Sequence, residues 1–177
     1  MVNSNYCAPP TSTKEIIQLA SFFRKVLGIS ADEKIDVIRI LEFKMQEIFE
    51  GFNYVIVDSQ ELPDTYAYTD SKKKEIVIRD DIYDAAINGD ARHRFTIAHE
   101  IAHYIKHLNL DIKLARSKDI NKVPIYETTE WQANTFARHF LVPIDYISNL
   151  REHEIAEKYG VSLEVARYQI DYLNKRK

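Results

Sequence analysis

Two histidines one helical turn apart are the residues of this sequence best suited to chemistry. His99 and His103 belong to the pattern H-E-x-x-H, and residues spaced i and i+4 on a helix share one face. Two neutral imidazoles so placed can bind one Zn²⁺ ion. Glu100 follows His99 directly, and its carboxylate can take a proton from an attacking water molecule. The motif therefore predicts hydrolytic metal chemistry; the alternative is a pair of hydrogen-bonded core histidines.

The helix that carries this motif has a recognisable start and an apolar face. Asn88 and Gly89 break the preceding element, and Asp90 is the predicted N-cap. Apolar residues recur at helical spacing on one face, namely Phe95, Ala98, Ala102, Ile105 and Leu108. This helix is therefore predicted to be largely buried, and buried histidines need polar partners.

A second helix can supply the third ligand that a catalytic zinc site needs. Residues 129–132 have the pattern of a capping box, with Thr129 as N-cap. Glu130 can then point at the metal, and Asn134 can hydrogen-bond the far nitrogen of a ligand histidine. Alternatively, Glu130 is an acidic first-turn residue favoured by the helix dipole. Glu127 is a reserve ligand that we expect to precede the cap.

The remaining histidines are weaker ligand candidates. His107 lies two turns beyond His99, about 12 Å along a straight helix, so it cannot share the ion and is expected to be a helix-end residue. His139 can reach the mouth of the site, and His93 is expected to be exposed. Spacing leaves five candidates for an oxyanion-stabilising residue, which are Tyr66, Tyr68, Tyr104, Tyr126 and His139.

Two segments together resemble the ImmA/IrrE family of bacterial metallopeptidases. They are R-F-T-I-A-H-E-I-A-H-Y-I-K-H at 94–107 and E-W-Q-A-N-T-F-A-R-H-F-L-V-P at 130–143. The resemblance extends over about residues 50 to 145 and is loose in the flanks. Ala102 stands where the family usually has Gly, a small change. Gln132 stands where the family often has Glu, which would alter the charge around the ligands.

The resemblance implies a gluzincin-like zinc enzyme in which His99, His103 and Glu130 bind the metal and Glu100 is the catalytic base. It implies an α+β, zincin-like fold with a small sheet packed on the helices. It also implies an intracellular protein substrate, typically a helix-turn-helix repressor. The enzyme would then act as an anti-repressor in stress response or mobile-element induction.

Two other functions compete with a zinc endopeptidase. The first is a binding or regulatory module that keeps the zinc site without useful turnover, but a purely structural site does not need Glu100 as a base. The second is a peptide deformylase, which would require a cysteine ligand close upstream. Cys7 is far from the motif in a Pro-rich leader, so we discount this function.

Composition and charge exclude several broad classes of protein. A length of 177 residues suits one domain, and a net charge of −3 argues against a chain devoted to nucleic-acid binding. The single cysteine, Cys7, allows no internal disulfide, and the N-terminal sequence lacks a signal-peptide pattern, so we expect a cytoplasmic protein. No stretch approaches the roughly 18 apolar residues of a membrane span.

Three regions are predicted along the chain. Residues 1–12 are expected to be a disordered leader, and residues 13–147 to form the metallopeptidase domain. Residues 148–177 are expected to form a helical segment that resembles a helix-turn-helix. The charges on the second helix of that segment are mixed, which favours packing or protein docking over DNA binding.

The sequence also predicts the elements around the site. Helices are expected at 13–27, capped by Thr13, and at 30–49. Strands follow at 53–58, 65–69 and 75–79, the last two joined in a hairpin by a charged turn, and a short helix at 80–88 leads to the metal helix. Residues 108–128 are predicted to be a long polar connection, with a short helix at 111–115, that covers the cleft.

Overall fold

The computed structural model describes residues 7–108 and 123–176, and within them it shows a small sheet packed on helices. The strands are β1 (Asn53–Val57), β2 (Ala67–Asp70) and β3 (Glu75–Arg79), in the order β1-β3-β2. β3 pairs in parallel with β1 and antiparallel with β2, as expected for the predicted hairpin. The predicted α+β fold is confirmed, and β2 lies at an edge of the sheet.

The helices pack against this sheet and against one another. In chain order they are α1 (Thr13–Val26), α2 (Val37–Arg39), α3 (Met45–Ile48), α4 (Asp80–Ile87), α5 (Ala91–His107), α6 (Thr129–Leu141), α7 (Glu152–Tyr159) and α8 (Leu163–Lys175). A π-helical segment, Ile40–Lys44, joins α2 to α3. Among the described residues, the structure contains no helix with the length and apolar character of a membrane span.

The N-terminal region differs from the prediction. Residues 7–11, which we call the N-terminal strap, pack along the turn before α6 instead of being disordered. Ala8 is buried and its N–H donates to the Glu127 carbonyl at 2.8 Å, while Cys7 forms a β-bridge with Thr128. Residues 1–6 of the predicted leader lie outside the described residues. The cap of α1 is Ser12, which forms a reciprocal capping box with Glu15, and not Thr13.

The second predicted helix begins at residue 37 and not at residue 30. Asp36 is the N-cap, and its carboxylate accepts a hydrogen bond from the Arg39 N–H at 3.0 Å. The chain before it is held in a non-helical path by two buried arginines that bond its carbonyl groups. Arg24 donates to the carbonyls of Ser30 and Glu33, and Arg94 donates to that of Ile35.

The same two arginines reach the ends of more distant helices. Arg24 donates to the Phe140 carbonyl at 2.7 Å, at the end of α6, and Arg94 donates to the Gly160 carbonyl at 3.0 Å, after α7. Both side chains are about 3% exposed. A helix C-terminus carries partial negative charge, so the guanidinium groups stabilise these ends while joining separate elements.

The core lies between α1, α5, α6 and the sheet. The predicted apolar face of α6 is confirmed, because Ala133, Phe136, Ala137, Phe140 and Leu141 are all at most 1% exposed. Phe23 of α1 packs on two of these rings, with centroid distances of 6.3 Å to Phe136 and 5.5 Å to Phe140. This packing fixes α6 against the rest of the molecule and so fixes the residues on its first turn.

The C-terminal helix pair packs on this core as well. Ile155 and Tyr159 of α7 and Ala166 of α8 are fully buried members of it. Gly160 ends α7 with φ +61°, a left-handed conformation that favours glycine. Gln169 is 0% exposed and donates to the Val142 carbonyl at 2.6 Å, so this amide is unavailable to DNA base edges. The geometry agrees with a packing element, as the mixed charges of the segment predicted.

The connection between the two site helices is described only in part. The predicted helix at 111–115 lies outside the described residues. Residues 123–128 are described, and they contain a short 3₁₀ turn, Ile125–Glu127, which leads directly into α6.

Candidate metal centre

α5 sets the two histidines side by side. Asp90 caps it as predicted, accepting a hydrogen bond from the His93 N–H at 2.9 Å. The buried face of the helix is formed by Ile97, Ala98, Ile101 and Ala102, all 0% exposed. With that face fixed in the core, the Nε2 atoms of His99 and His103 lie 2.9 Å apart on an adjoining face.

α6 brings Glu130 to the same point. Its N-cap is Thr128, whose hydroxyl accepts from the Trp131 N–H at 3.3 Å, so the prediction of Thr129 as the cap was wrong by one residue. The Glu130 carboxylate places one oxygen 3.3 Å from His99 Nε2 and the other 3.2 Å from His103 Nε2. Glu127, the reserve ligand, lies before the cap and outside this cluster.

The three side chains have the composition and spacing of a metal site. One donor atom from each of His99, His103 and Glu130 lies within 4.8 Å of the other two. Ligands about 2.0–2.1 Å from a tetrahedral Zn²⁺ are about 3.3 Å apart, which matches both carboxylate–imidazole distances. The two imidazole nitrogens are closer and would separate by a few tenths of an ångström on binding. The cluster can therefore hold a metal ion with one further coordination position open.

The charges in the cluster favour an anionic carboxylate. Burial raises the pKa of the Glu130 carboxyl, but hydrogen bonds and charge from His103 and His99 outweigh it and hold the pKa well below its usual value. For His99, burial lowers the pKa, while the hydrogen bond to Glu130 and the charge of Glu100 raise it, and the net change is upward. The site therefore stabilises positive charge, which is what a cation-binding site requires.

Glu100 lies beside the cluster without joining it. It is 7% exposed, and its Oε2 accepts a hydrogen bond from the Thr69 hydroxyl at 2.8 Å. Thr69 belongs to the edge strand β2, so the sheet holds this carboxylate in place. The influence of Glu100 on the pKa of His99 shows that its charge acts on the cluster. A carboxylate held near the donors but outside their set is the position expected of a base.

The far nitrogen of each cluster histidine has a partner. Asn134 lies where the spacing predicted, with its Oδ1 3.0 Å from His99 Nδ1. An amide oxygen can only accept, so His99 carries a proton on Nδ1, and the neutral ring that binds a metal presents a bare Nε2 to the cluster. His103 instead has His107 as its partner, with their Nδ1 atoms 3.1 Å apart.

His107 is the residue whose surroundings the sequence analysis missed. It is the last residue of α5, as predicted, but its side chain is buried, 3% exposed, beside His103. Its Nε2 lies 3.2 Å from Oε1 of Gln132, a fully buried residue of α6. Burial and the nearby charge of His103 lower the pKa of His107 to about 3, so its ring is neutral. The i, i+4 spacing from His103 was the available signal.

Two other histidines also need comment. His139 does not reach the mouth of the site: it is 3% exposed, and its Nδ1 accepts from Gln169 Nε2 at 3.1 Å under α8. His93 is half-buried and paired with Asp90, with 2.5 Å between Nδ1 and Oδ1, so the expectation of an exposed side chain holds only in part.

Two oxyanion candidates can be removed, His139, which does not reach the site, and Tyr104. Tyr104 is 1% exposed and packs in the core against Phe49 and Phe52, with ring centroids 5.4 Å and 4.8 Å away. Its hydroxyl is therefore closed off from a substrate. Three tyrosines remain candidates because their side chains are partly exposed, and these are Tyr66, Tyr68 and Tyr126.

The comparisons with known proteins agree with this geometry. A transcriptional regulator from Mycobacterium tuberculosis has a similar solved structure, with a TM-score of 0.53 and 16% identity, covering 88% of this chain and 46% of that one. This likeness concerns the fold, and the chain spans about half of that protein. No curated protein matches the sequence. The family model of the IrrE N-terminal-like domain, a peptidase family, matches residues 59–171. The chain therefore belongs to the IrrE N-terminal-like peptidase family, as the two motifs of its sequence predicted.

Proposed function

We propose that this protein is a zinc-dependent endopeptidase. The observation that carries the proposal is the convergence of His99, His103 and Glu130 within 4.8 Å, with the Glu100 carboxylate held beside them. A structural zinc site needs no such carboxylate, because its ligands complete the coordination. Membership of a peptidase family, whose members depend on a metal, supports the same reaction.

In this proposal three side chains bind the metal and a fourth transfers the proton. His99, His103 and Glu130 hold the zinc, which when bound supplies the Lewis acidity that activates water and polarises a carbonyl. Glu100 accepts the proton of the attacking water and passes it to the leaving amine. The Thr69 hydroxyl orients that carboxylate by donating to Oε2, and within the described part of the chain no hydrogen bond occupies Oε1, the oxygen that accepts the proton.

The edge strand β2 is the proposed binding site for an extended substrate peptide. Within the described residues it has one neighbour in the sheet, β3, and it carries Thr69, which contacts the proposed base. A substrate segment that adds to the free edge of β2 would gain backbone hydrogen bonds and lie beside the cluster. From the motif resemblance we propose that the substrate is a helix-turn-helix repressor in the cytoplasm, cleaved in stress response or mobile-element regulation.

The division of the chain remains part of the proposal. We place the peptidase domain at residues 13–147 and a helical segment that docks on it at 148–177. The packing of α7 and α8 into the common core supports a docking role for that segment. DNA binding by the segment is not proposed, because Gln169 is buried and Arg167 pairs with Glu152 at 3.0 Å.

One variant distinguishes a zinc endopeptidase from a non-catalytic zinc-binding module. Glu100→Gln keeps the shape of the side chain but cannot accept a proton. We expect one zinc per chain by mass spectrometry, an unchanged melting temperature, and cleavage slower by about 10²–10⁴-fold. A recombinant helix-turn-helix repressor, the proposed class of substrate, is used in the assay. Glu127→Gln is the matched control, since this carboxylate lies outside the cluster, and it should cleave normally.

The possible results test the role of Glu100 and the class of function independently. Cleavage by Glu100→Gln at the parent rate contradicts the assigned base. If the parent protein binds zinc and captures the repressor in a pull-down but never cleaves it, the protein is a regulatory module and the endopeptidase proposal fails.

A further inference from the structure

A chain of buried and partly buried hydrogen bonds runs from the cluster to the N-terminal strap. It passes from His103 to His107, then to Gln132, and ends at two backbone carbonyls, those of Pro9 and Tyr126. His107 is 3% exposed and Gln132 is 0% exposed. These contacts join three separate parts of the sequence: α5, the strap, and α6 with the turn that precedes it.

The orientation of the Gln132 amide is fixed at the far end of the chain. Its Nε2 lies 2.9 Å from the Pro9 carbonyl and 2.9 Å from the Tyr126 carbonyl. An amide NH₂ group has two hydrogens, so it can donate to both. The reverse orientation would set an amide oxygen against two carbonyl oxygens, which can only accept. Oε1 of Gln132 therefore points at His107.

The orientation of the Gln132 amide determines which ring nitrogen of His107 carries a hydrogen, and this in turn determines which nitrogen of His103 carries one. Because Oε1 only accepts, His107 must carry a hydrogen on the facing Nε2 atom. A neutral ring with hydrogen on Nε2 has a bare Nδ1, and this atom faces Nδ1 of His103. The second hydrogen bond forms only if His103 carries its hydrogen on Nδ1. The neutral ring of His103 is then left with a bare Nε2, the atom that points at the cluster.

We propose that His107 and Gln132 are positioning residues that fix the tautomer and the ring orientation of His103 for metal binding. This inference rests on the proposed metal site. Asn134 does the same for His99 in one step, whereas His103 depends on a relay of two side chains anchored on the strap. Partners of this kind typically change metal affinity by about 10- to 100-fold when they are removed.

The chain offers a matched control for packing effects. His139 is also a helix-borne histidine, 3% exposed, and also contacts a fully buried glutamine, Gln169. Its partners are Gln169 and the ring of Tyr172, at a centroid distance of 5.1 Å, and it takes no part in the cluster. Removing it disturbs a buried His–Gln pair without touching the relay.

The first test is zinc affinity by competition with a chelator. His107→Phe should bind zinc about 10- to 100-fold more weakly than the parent, and Gln132→Met should be weaker as well. His107→Asn keeps an acceptor near the position of Nδ1 and should stay closer to the parent than His107→Phe. His139→Phe should bind zinc as the parent does, even though its melting temperature falls.

The second test observes the tautomer directly. In the zinc-loaded parent, long-range ¹H–¹⁵N correlations of the histidine rings should show His107 neutral, with its hydrogen on Nε2. A hydrogen on Nδ1 of His107 would overturn the relay. This measurement does not depend on any variant folding, and the smaller loss of zinc affinity in His107→Asn than in His107→Phe is the readout that a merely structural role would not give.

The outcomes are distinguishable from failure of the proposed function. If the parent binds no zinc, the metal site itself is wrong. If the parent binds zinc and His107→Phe binds it equally well, or if His139→Phe weakens binding by the same factor, the relay is wrong and the metal site stands. Should His107→Phe fail to fold, Gln132→Met and His107→Asn decide the same question.

Discussion

His139 should make the folded protein sensitive to acid. The ring is 3% exposed, its Nε2 has no hydrogen-bond partner among the described residues, and its Nδ1 accepts from Gln169. Burial, together with the positive charges of Arg138 and Arg176, lowers the pKa of His139 to about 4. Protonation would place a charge between α6 and α8 where no acceptor is ready to receive it.

The loss of unfolding free energy in acid follows from the pKa of His139 in the folded state and in the unfolded state. The ordinary value of 6.5 applies to the unfolded chain, so the unfolded state takes up the proton first as the pH falls. The contribution of the neutral ring to stability is complete above about pH 6.5 and is lost between there and about pH 4. The full loss is about 3 kcal/mol, of which about 2 kcal/mol has gone by pH 5.

Urea denaturation of the metal-free protein at pH 8 and pH 5 measures this loss. The parent should lose about 2 kcal/mol more free energy of unfolding between these pH values than His139→Phe, which has no proton to gain. His153→Phe removes an exposed histidine and should follow the parent. Equal losses in the parent and His139→Phe would refute the reasoning, because the acid sensitivity would then arise elsewhere.

Three further substitutions test the site and its support. His99→Ala should remove most of the zinc measured by mass spectrometry, since two protein ligands hold the ion poorly; full zinc content would show that the assigned site is wrong. Thr69→Val deletes the hydroxyl bonded to Glu100 and should lower kcat about 10- to 100-fold at unchanged zinc content, the equivalent of one hydrogen bond to a charged group. Gly160→Ala should lower the free energy of unfolding in urea by at least about 1 kcal/mol, because φ is +61° and the new Cβ would overlap Arg94; an unchanged value would contradict this strain.

The sequence predicted those features whose signals are local. Asp90 as the cap of α5, the hairpin of β2 and β3, and the apolar face of α6 all follow from a few neighbouring residues, and the structure confirms them. The approach of Glu130 and Asn134 to the motif histidines was also predicted, because two amphipathic helices that share a core turn their first-turn and flank residues toward each other.

The features that the sequence did not predict depend on contacts between distant segments. The chain before α2 is non-helical because Arg24 and Arg94 donate hydrogen bonds to its carbonyls. The helix propensity of residues 30–36 does not reveal those bonds, because both arginines lie outside this segment. Likewise, the burial of His107 results from Gln132, on another helix. Spacing along one helix predicts the helix face on which a residue lies. It does not predict which residues of other elements pack on that face.

The two buried arginines suggest which positions should vary least among related sequences. Arg24 donates to the carbonyls of Phe140, Ser30 and Glu33, three acceptors in different directions that the fork of a guanidinium can reach together. The compact ammonium group of lysine cannot span them, and in the described part of the chain Arg24 bonds backbone carbonyls and no carboxylate. In relatives that have lost the metal-binding side chains, we therefore expect arginine to persist at this position and at Arg94, because the architecture depends on both whether or not the chain still performs chemistry.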